Sequence, residues 1–326
     1  MSSRLSVTVE HFALASEFRI ARGSKTQASV IVATIERGGF RGRGECVPYG
    51  RYGETLEGVL AEIEALSGEI EAGLTREALQ ERLPAGAARN ALDCAFWDLE
   101  AKTSGRSVAS LVCETEPRPV ETAYTISLDE PERMGAAARA AVRPILKIKM
   151  GTNDDIGRIR AVHEAAPRSR LILDANEGWT GDRLTAHLLE AARGGAMLIE
   201  QPLPVGGDEI LARIPHPVPI CADESVHTSA DLEGLVGRYD YVNIKLDKSG
   251  GLTEALKMQR RARELGFGVM VGCMVSTSLS MAPAALLAQN ADVVDLDGPL
   301  LLAEDREPGL VYAGSTLAPP SGDLWG

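Results

Sequence analysis

The chain has 326 residues, 44% of them hydrophobic and 25% charged, which is typical of a globular protein of about two domains. Its formal net charge of −12 argues against a nucleic-acid-binding protein, which needs a basic surface. The chain shows no run of about 18 apolar residues, no signal-peptide core and no C-x-x-C pair among its five cysteines, so we expect a cytoplasmic protein without a membrane partner.

The first part of the chain has the pattern of an α+β domain. Residues 4–10 alternate between apolar and polar side chains, 28–36 are rich in β-branched residues, and 42–47 can return as a third strand. Two apolar stripes at helical spacing follow, and the second ends near Gly105, a plausible C-cap. Three strands followed by helices predict one α+β domain over residues 1–115.

Strands and helices alternate in the rest of the chain, with helices expected at 131–142, 154–166 and 252–265. The eight predicted strands are Ala123–Ser127, Ile145–Met150, Leu171–Ala175, Met197–Gln201, Pro219–Asp223, Tyr241–Leu246, Gly268–Cys273 and Asp292–Asp297. This pattern predicts a β/α barrel over residues 116–298. The Gly- and Pro-rich stretch 299–326 is expected to return over the first domain.

Five residues that can serve one reaction close consecutive predicted strands of this region. They recur every 22 to 26 residues, each at the end of a short apolar run: Lys149, Asp174, Glu200, Asp223 and Lys245. The C-terminal ends of barrel strands form one ring on the face where barrel enzymes keep their active sites. These five side chains are therefore expected to converge on a single pocket.

The three carboxylates of this set suit a hard cation. Mg²⁺ takes oxygen ligands and leaves coordination positions for substrate and water. One such acid alone could be a helix N-cap or a rim charge, but three at consecutive strand ends favour a metal site. We therefore expect one Mg²⁺ per subunit, held by Asp174, Glu200 and Asp223, with Asn176 placed to support a ligand.

The lysines indicate the reaction class. Lys147 and Lys149 lie at i and i+2, so a strand directs both into the barrel, although an exposed strand with surface lysines is the alternative. Repulsion between them and a nearby cation would lower a lysine pKa from about 10.4 towards the range of a base. Lys245 would lie on the opposite side of the ring. Opposed lysines favour removal of a proton next to a carboxylate and its return on the other face.

Two further acids, Asp295 and Asp297, close the last predicted strand. Three carboxylates already suffice for a metal, so these two are better matched to a substrate cation such as an ammonium group, unless they cap the following turn. Residues 272–278 could line the pocket floor, where Cys273 is expected to be a packed residue and no nucleophile.

Together these motifs resemble the enolase superfamily, in its muconate-lactonizing branch, and within it the dipeptide epimerases. The likeness covers nearly the whole chain, and the D-x-D of the last strand is the feature that points to dipeptides. The motifs that carry it are GECVPYGRYGET, LPAGAARNALDCAFWDLEAK, KIKM, LDANEGW, IEQPLP, CADES, NIKLDKSGGLTEA, GCM and DLDGP. The resemblance implies a modified TIM barrel, (β/α)7β, with an α+β capping domain.

The resemblance also implies an activity, namely epimerisation of the Glu residue of L-Ala-D/L-Glu in murein peptide recycling. Lys149 and Lys245 would be the acid/base residues, and Lys147 would tune the electrostatics. Arg22 would contact the Glu side chain, although Arg19 and Lys25 lie close by. The implied substrate contacts are Arg22, Thr125, Asn176, Cys273, Met274, Asp295 and Asp297. A homo-oligomer is a further expectation from the family.

Three alternatives stay open at this point. One is a lyase on the same scaffold, such as an o-succinylbenzoate synthase or a cycloisomerase. Another is an N-acylamino-acid racemase, whose substrate also lacks a free ammonium group. The third is a metabolite-binding relative without catalytic activity, which the complete set of lysines and carboxylates argues against.

Overall fold

The computed structural model of the protein describes residues 3–151 and 153–326. The chain begins with a three-stranded antiparallel sheet of β1 (Ser3–Ile20), β2 (Gly23–Arg37) and β3 (Phe40–Cys46). β1 and β2 form a long hairpin whose register shifts between Ala13 and Phe18. The hairpin extends well beyond the strands predicted from the sequence. Its outer part carries few apolar residues and is mostly exposed, so the pattern of apolar residues did not predict it.

Helices cover one face of this sheet. They are α1 (Leu56–Ala65), α2 (Ser67–Glu71), α3 (Arg76–Arg82), α4 (Ala87–Ser104) and α5 (Val108–Val112). α4 packs directly on β3, where a Cβ atom at Gly42 or Gly44 would overlap the backbone oxygen of Ala95 or Ala91. These two glycines therefore permit close packing of a helix on a strand. We refer to residues 3–113 as the cap.

After β4 (Val120–Glu121), eight parallel strands form one sheet in sequential order. They are β5 (Tyr124–Ile126), β6 (Ile145–Lys149), β7 (Arg170–Asp174), β8 (Ala196–Glu200), β9 (Ile220–Ala222), β10 (Tyr241–Ile244), β11 (Gly268–Gly272) and β12 (Val293–Asp295). The backbone N–H of Ala123 donates to the oxygen of Val294 at 2.8 Å, which joins the two ends of the sheet. The result is a closed barrel.

Helical segments connect successive barrel strands. The α-helices are α6 (Pro131–Ala141), α7 (Asp155–Ala165), α8 (Gly181–Arg193), α9 (Leu246–Ser249), α10 (Leu252–Glu264) and α11 (Ser278–Leu287). Short 3₁₀ helices at Glu209–Arg213 and Ser229–Leu235 replace α-helices in the two connections on either side of β9. Pro202, Pro204 and the pair Gly206–Gly207 explain the first of these, because they interrupt helical backbone. After β12 a 3₁₀ turn, Gly298–Leu301, stands in place of an eighth barrel helix, so the predicted (β/α)7β architecture is confirmed.

The barrel interior has an apolar layer below a polar layer. The apolar layer contains Ile145, Ile172, Leu198, Cys221, Met270 and Val293. Because side chains alternate along a strand, the inward residue two positions further on lies one layer above. That step leads from Ile172 to Asp174 and from Leu198 to Glu200. The polar residues thus sit on a packed apolar base near the C-terminal ends of the strands.

The end of the chain returns to the cap. β13 (Tyr312–Ala313) and β14 (Thr316–Leu317) form a small antiparallel sheet with β4. The indole N–H of Trp325 then donates to the Cys94 oxygen at 3.0 Å, and the Gly326 N–H donates to Asp98 at 2.8 Å. None of the helices within the described ranges combines the length and the apolar composition needed to cross a membrane.

Candidate active site

The barrel register places the predicted site residues at one level. Lys149 pairs with Asp174, and Asp174 pairs with Glu200, across the adjacent strands β6, β7 and β8. Of the thirteen predicted site residues, all except Asp174 and Glu200 line one cavity of about 380 Å³ between the barrel and the cap. Asp174 and Glu200 lie beneath it and are fully buried. The sequence-based expectation of convergence therefore agrees with the geometry.

Each of the three carboxylates lies against a lysine ammonium group. Lys149 Nζ donates to Asp174 Oδ2 at 2.6 Å, and Lys245 Nζ donates to Asp223 Oδ2 at 2.6 Å. Lys147 Nζ lies 2.8 Å from Glu200 Oε2. These pairs are buried, where an uncompensated charge would cost several kcal/mol. The carboxylates and lysines therefore stabilise one another.

The carboxylates differ in how their environment shifts their pKa values. Burial, together with the neighbouring Asp174 carboxylate, raises the pKa of Glu200 to about 7. Burial acts in the same direction on Asp223, but Lys245 and Lys248 outweigh it and hold its pKa well below the usual value. Glu200 is thus the acid whose charge is least well compensated, and it lies between the other two in the ring.

These acids fit a hard divalent cation by their chemistry. Within residues 3–151 and 153–326 no three Asp, Glu, His or Cys side chains stand at the spacing of a ready-made metal cage, because the acids face lysines. The donor set nevertheless consists only of carboxylate oxygens, which Mg²⁺ prefers. Among the described residues no donor forms a hydrogen bond to the buried Glu200 Oε2, although Lys147 Nζ lies 2.8 Å from it. A cation there would relieve the repulsion between Glu200 and Asp174.

The two lysines expected to oppose each other lie on β6 and at the end of β10. These positions are four strands apart in a ring of eight, hence on opposite sides of the barrel, and both Lys149 and Lys245 line the cavity. Burial favours neutral Lys245, but Asp223 and Glu200 outweigh burial and raise its pKa well above the usual value. The expected lowering of a lysine pKa concerned the pair Lys147 and Lys149. For Lys147, burial is likewise outweighed by Asp295, Glu200 and Asp174, which raise its pKa well above the usual value.

Asp295 ends β12, Asp297 lies two residues beyond the strand, and the two acids have different partners. Asp297 Oδ2 accepts a hydrogen bond from the Thr125 backbone N–H at 2.6 Å, and burial together with Asp295 raises the pKa of Asp297 to about 7. Asp295 Oδ2 accepts a hydrogen bond from Lys147 at 2.7 Å, whereas its buried Oδ1 accepts none from the part of the chain that the structure describes. Two acids aimed into a cavity with unused acceptor capacity suit a cationic ligand group.

The cap contributes further basic residues to the cavity. Arg22 donates to Glu224 at 2.7 Å and to the Asn176 backbone oxygen at 2.7 Å, so its charge is already compensated. Lys25 also lines the cavity and has no hydrogen bond or ion pair within the described residues; burial and the charge of Lys149 lower its pKa to about 8. Arg19 pairs with Glu17 at 2.8 Å and does not line the cavity.

Cys273 and Met274 form part of the barrel side of the cavity, as expected. Burial, reinforced by the negative charges of Asp295 and Asp297, raises the pKa of the Cys273 thiol well above its usual value. A thiol in that state is a poor nucleophile. Cys273 therefore acts as a packed wall residue in this cavity.

Two families match most of the chain. Residues 4–113 match the mandelate racemase / muconate lactonizing enzyme N-terminal domain, and residues 132–322 match the enolase C-terminal domain-like family. The chain belongs to the enolase superfamily. Both halves of the molecule, cap and barrel, are thus those of this superfamily.

Individual curated relatives and solved structures are similar to this chain over nearly its whole length. The L-Ala-D/L-Glu epimerase of Escherichia coli is 46% identical over 94% of this chain and 97% of its own length. The N-acetyl-D-glutamate racemase of a Pseudoalteromonas species is 46% identical over 91% of this chain and 95% of its own. An enolase family member from Agrobacterium tumefaciens, with homology to dipeptide epimerases and with bound sodium and L-Ala-L-Glu, is 58% identical at a TM-score of 0.98, covering 99% of this chain and 100% of its own.

A further solved structure contains the expected cation. The dipeptide epimerase of Enterococcus faecalis, in complex with Mg and the dipeptide L-Leu-L-Tyr, is 31% identical at a TM-score of 0.92. The likeness covers 98% of this chain and 98% of that one. The shared superfamily scaffold thus extends over the whole cavity described above.

Three residues of the site, Asn243, Lys248 and Glu224, were not predicted from the sequence. Asn243 Nδ2 donates to Glu200 Oε1 at 2.8 Å, and Lys248 Nζ donates to both Oδ1 and the backbone oxygen of Asp223 at 2.5 Å. Asn243 lies two residues before Lys245 on the same strand, so the alternation of side chains could have revealed it. Glu224, which accepts a hydrogen bond from Arg22, follows Asp223 directly, and no pattern in the sequence predicted this contact.

Replacing Lys248 with Met is expected to lower the free energy of unfolding by about 3 kcal/mol, because it leaves the buried Asp223 with one cation fewer and removes a donor from the backbone oxygens of Asp223 and Asn243. Urea unfolding followed by circular dichroism measures the change. The control is Lys257→Met, whose exposed ion pair with Glu254 spans 3.7 Å and should contribute less than about 1 kcal/mol. Equal losses in the free energy of unfolding for the two substitutions would contradict the conclusion that Lys248 stabilises the buried Asp223.

Proposed function

We propose that this protein is an L-Ala-D/L-Glu epimerase, a Mg²⁺-dependent isomerase that inverts the Glu α-carbon of the dipeptide. The observation that carries the proposal is the pair Lys149 and Lys245, which face one cavity from opposite sides of the barrel. Inversion at carbon needs a base on one face and an acid on the other, and two lysines satisfy that need. The sequence likeness to the Escherichia coli epimerase over nearly its full length supports the same substrate.

In the proposed reaction one lysine, uncharged, takes the α-proton, and the electron pair of the C–H bond moves into the adjacent carboxylate to form an enediolate. The opposite lysine, as ammonium, donates a proton to the other face of the α-carbon. The first lysine ends protonated and the second neutral, so the reverse reaction uses the same pair. Lys147, buried between them and the acids, adds positive charge near the developing anion.

Asp174, Glu200 and Asp223 would hold the Mg²⁺. When bound, the ion would offset part of the carboxylate charge beside the lysines and would supply positive charge beside the substrate carboxylate. Asn243 and Lys248 would fix the orientation of two of the ligands, Glu200 and Asp223. Asn176, whose backbone N–H donates to Asp174 at 3.1 Å, would do the same for the third.

Asp297 and Asp295 would bind the free ammonium group of the dipeptide, and Thr125 would hold Asp297 in place. For the side-chain carboxylate of Glu we propose Lys25 as the main contact. Arg22, the residue that the family resemblance implies, already pairs with Glu224 and Glu177, so we assign it to the cavity wall. Cys273 and Met274 would contact the substrate from the barrel side.

We place the reaction in the cytoplasm, in the recycling of murein peptides, with the enzyme as a homo-oligomer. The five cysteines are all unpaired, as a reducing compartment favours. We further propose a division of work between residues 1–115, which cap the cavity, and residues 116–298, which carry the catalytic groups. Residues 299–326 would tie the two together through the contacts of Trp325 and Gly326 with α4.

The two-base mechanism is tested by Lys149→Met and Lys245→Met. Each substitution is expected to lower the rate of epimerisation by about 10²- to 10⁴-fold, because one face loses its acid/base group. Proton NMR in D₂O with Mg²⁺ is the measurement. Each variant should still exchange the Glu α-proton of one diastereomer, a different one for each lysine.

The surface substitution Lys257→Met serves as the control and should epimerise L-Ala-L-Glu as the unmodified enzyme does. Full two-way epimerisation by either lysine variant would overturn the mechanism. Absence of α-proton exchange in the unmodified enzyme with both diastereomers would instead direct the search to N-acylated amino acids and to lyase substrates.

The N-acetyl-D-glutamate racemase, which is as similar as the epimerase, supports a second candidate activity, racemisation of N-acyl-glutamate. N-propionyl-L-glutamate tests it, since it differs from L-Ala-L-Glu only by hydrogen in place of the ammonium group. Asp297→Asn is expected to lower kcat/KM for L-Ala-L-Glu by about 10- to 100-fold, as loss of a charged hydrogen bond does. The same variant should leave N-propionyl-L-glutamate unaffected or improve it. Preference of the unmodified enzyme for the N-acyl compound would favour the racemase.

The assignment of Lys25 predicts a specificity change. Lys25→Met should lower kcat/KM for L-Ala-L-Glu by about 10- to 100-fold, and that for L-Ala-L-Gln far less, because only the first substrate carries a side-chain charge. Arg22→Met should affect both substrates alike, since Arg22 supports the wall. Arg19→Met, outside the cavity, is the control. A charge-selective loss in Arg22→Met alone would return the role to Arg22.

A further inference from the structure

One buried ammonium group contacts acids from three different barrel strands. Lys147 Nζ lies 2.7 Å from Asp295 Oδ2, 2.8 Å from Glu200 Oε2 and 3.2 Å from Asp174 Oδ2. Its side chain is 3% exposed. Glu200 and Asp174 belong to the proposed cation site, whereas Asp295 belongs to the proposed ammonium subsite. Lys147 is therefore shared between two binding sites.

The two acids of the proposed ammonium subsite, Asp295 and Asp297, differ in their contacts with Lys147. Asp295 Oδ2 accepts from Lys147, and its buried Oδ1 accepts no hydrogen bond from the described part of the chain. Asp297 is held by the Thr125 N–H and forms no ion pair with Lys147 within the described residues. A substitution of Asp295 therefore alters an ion pair of Lys147, which itself contacts Glu200 and Asp174. A substitution of Asp297 alters only the electrostatic potential at Lys147.

We propose that Lys147 is a positioning residue that couples the cation site at Asp174 and Glu200 to the ammonium subsite at Asp295. The inference rests on the proposed function for the identity of the two ligands. Lys147 occupies oxygens of Glu200 and Asp174 that a divalent cation would take, and the two cations repel each other. Asp295 offers Lys147 an alternative partner on the far side and thereby draws it away from the cation site.

This arrangement fixes the sign of each change in Mg²⁺ affinity. Asp295→Asn weakens the alternative partner, so Lys147 competes more strongly for Glu200 and Asp174, and Mg²⁺ binds about 5- to 10-fold more weakly. Lys147→Met removes the competitor, so Mg²⁺ binds more tightly by about the same factor. In the Lys147→Met background, Asp295→Asn should then have little further effect.

The experiment is a double-mutant cycle read by Mg²⁺ dissociation constants. Isothermal titration calorimetry with Mg²⁺ alone is applied to the unmodified protein, both single variants and the double variant. Asp297→Asn is the matched control, because it removes the same charge from the same subsite without touching Lys147. It should weaken Mg²⁺ binding clearly less than Asp295→Asn does, because Asp297 is held by the Thr125 N–H and forms no ion pair with Lys147 within the described residues. Circular dichroism confirms that each variant is folded, and Lys147→Gln replaces Lys147→Met if the latter is not.

The proposal is overturned if the weakening caused by Asp295→Asn persists in the Lys147→Met background, or if Asp297→Asn weakens Mg²⁺ binding as strongly. Either result would mean that Asp295 acts as one more negative charge near the cation. The titrations need no turnover, so they decide on Lys147 independently of the activity. Failure of the proposed function would appear separately, as absent α-proton exchange in D₂O.

Discussion

The mutual compensation of lysines and carboxylates inside the barrel is the constraint on which the rest of the site depends. Lys147, Lys149, Lys245 and Lys248 are buried against acids at distances of 2.5 to 3.2 Å. In a medium of low dielectric constant each of these charges would be strongly unfavourable alone. The site is therefore stable only as a set, and a ligand that enters must exchange partners with the groups already there.

The closed barrel makes that set geometrically possible. Parallel strands in register bring Lys149, Asp174 and Glu200 to one level, and the alternation of side chains puts apolar residues directly below. The cap covers the other side of the cavity and adds Lys25 and Arg22. Arg22 is paired with Glu224, whereas Lys25 has no ion pair within the described residues. The acids and bases of the cavity therefore lie on the strands of the barrel, and the cap covers them as a separate layer.

Much of this could be predicted from the sequence, because strand spacing and alternation need no knowledge of distant contacts. The eight strands, the three acids and the opposed Lys149 and Lys245 follow from those rules. The partners Glu224 and Lys248 do not, since they depend on which loop meets which strand. The fall of a lysine pKa expected for the Lys147–Lys149 pair is not seen for Lys147, because the carboxylates that face it, which come from three different strands, outweigh burial.

Asp295 and Asp297 show where a sequence pattern stops being informative. As a D-x-D pair on one strand they look interchangeable, yet one is paired with a lysine and the other with a backbone N–H. An ammonium ligand next to Asp295 must compete with Lys147, whereas Asp297 forms no ion pair with Lys147 within the described residues. In the proposed reaction the first contact of the dipeptide ammonium would therefore fall to Asp297, and Asp295 would link that contact to the proposed cation site through Lys147.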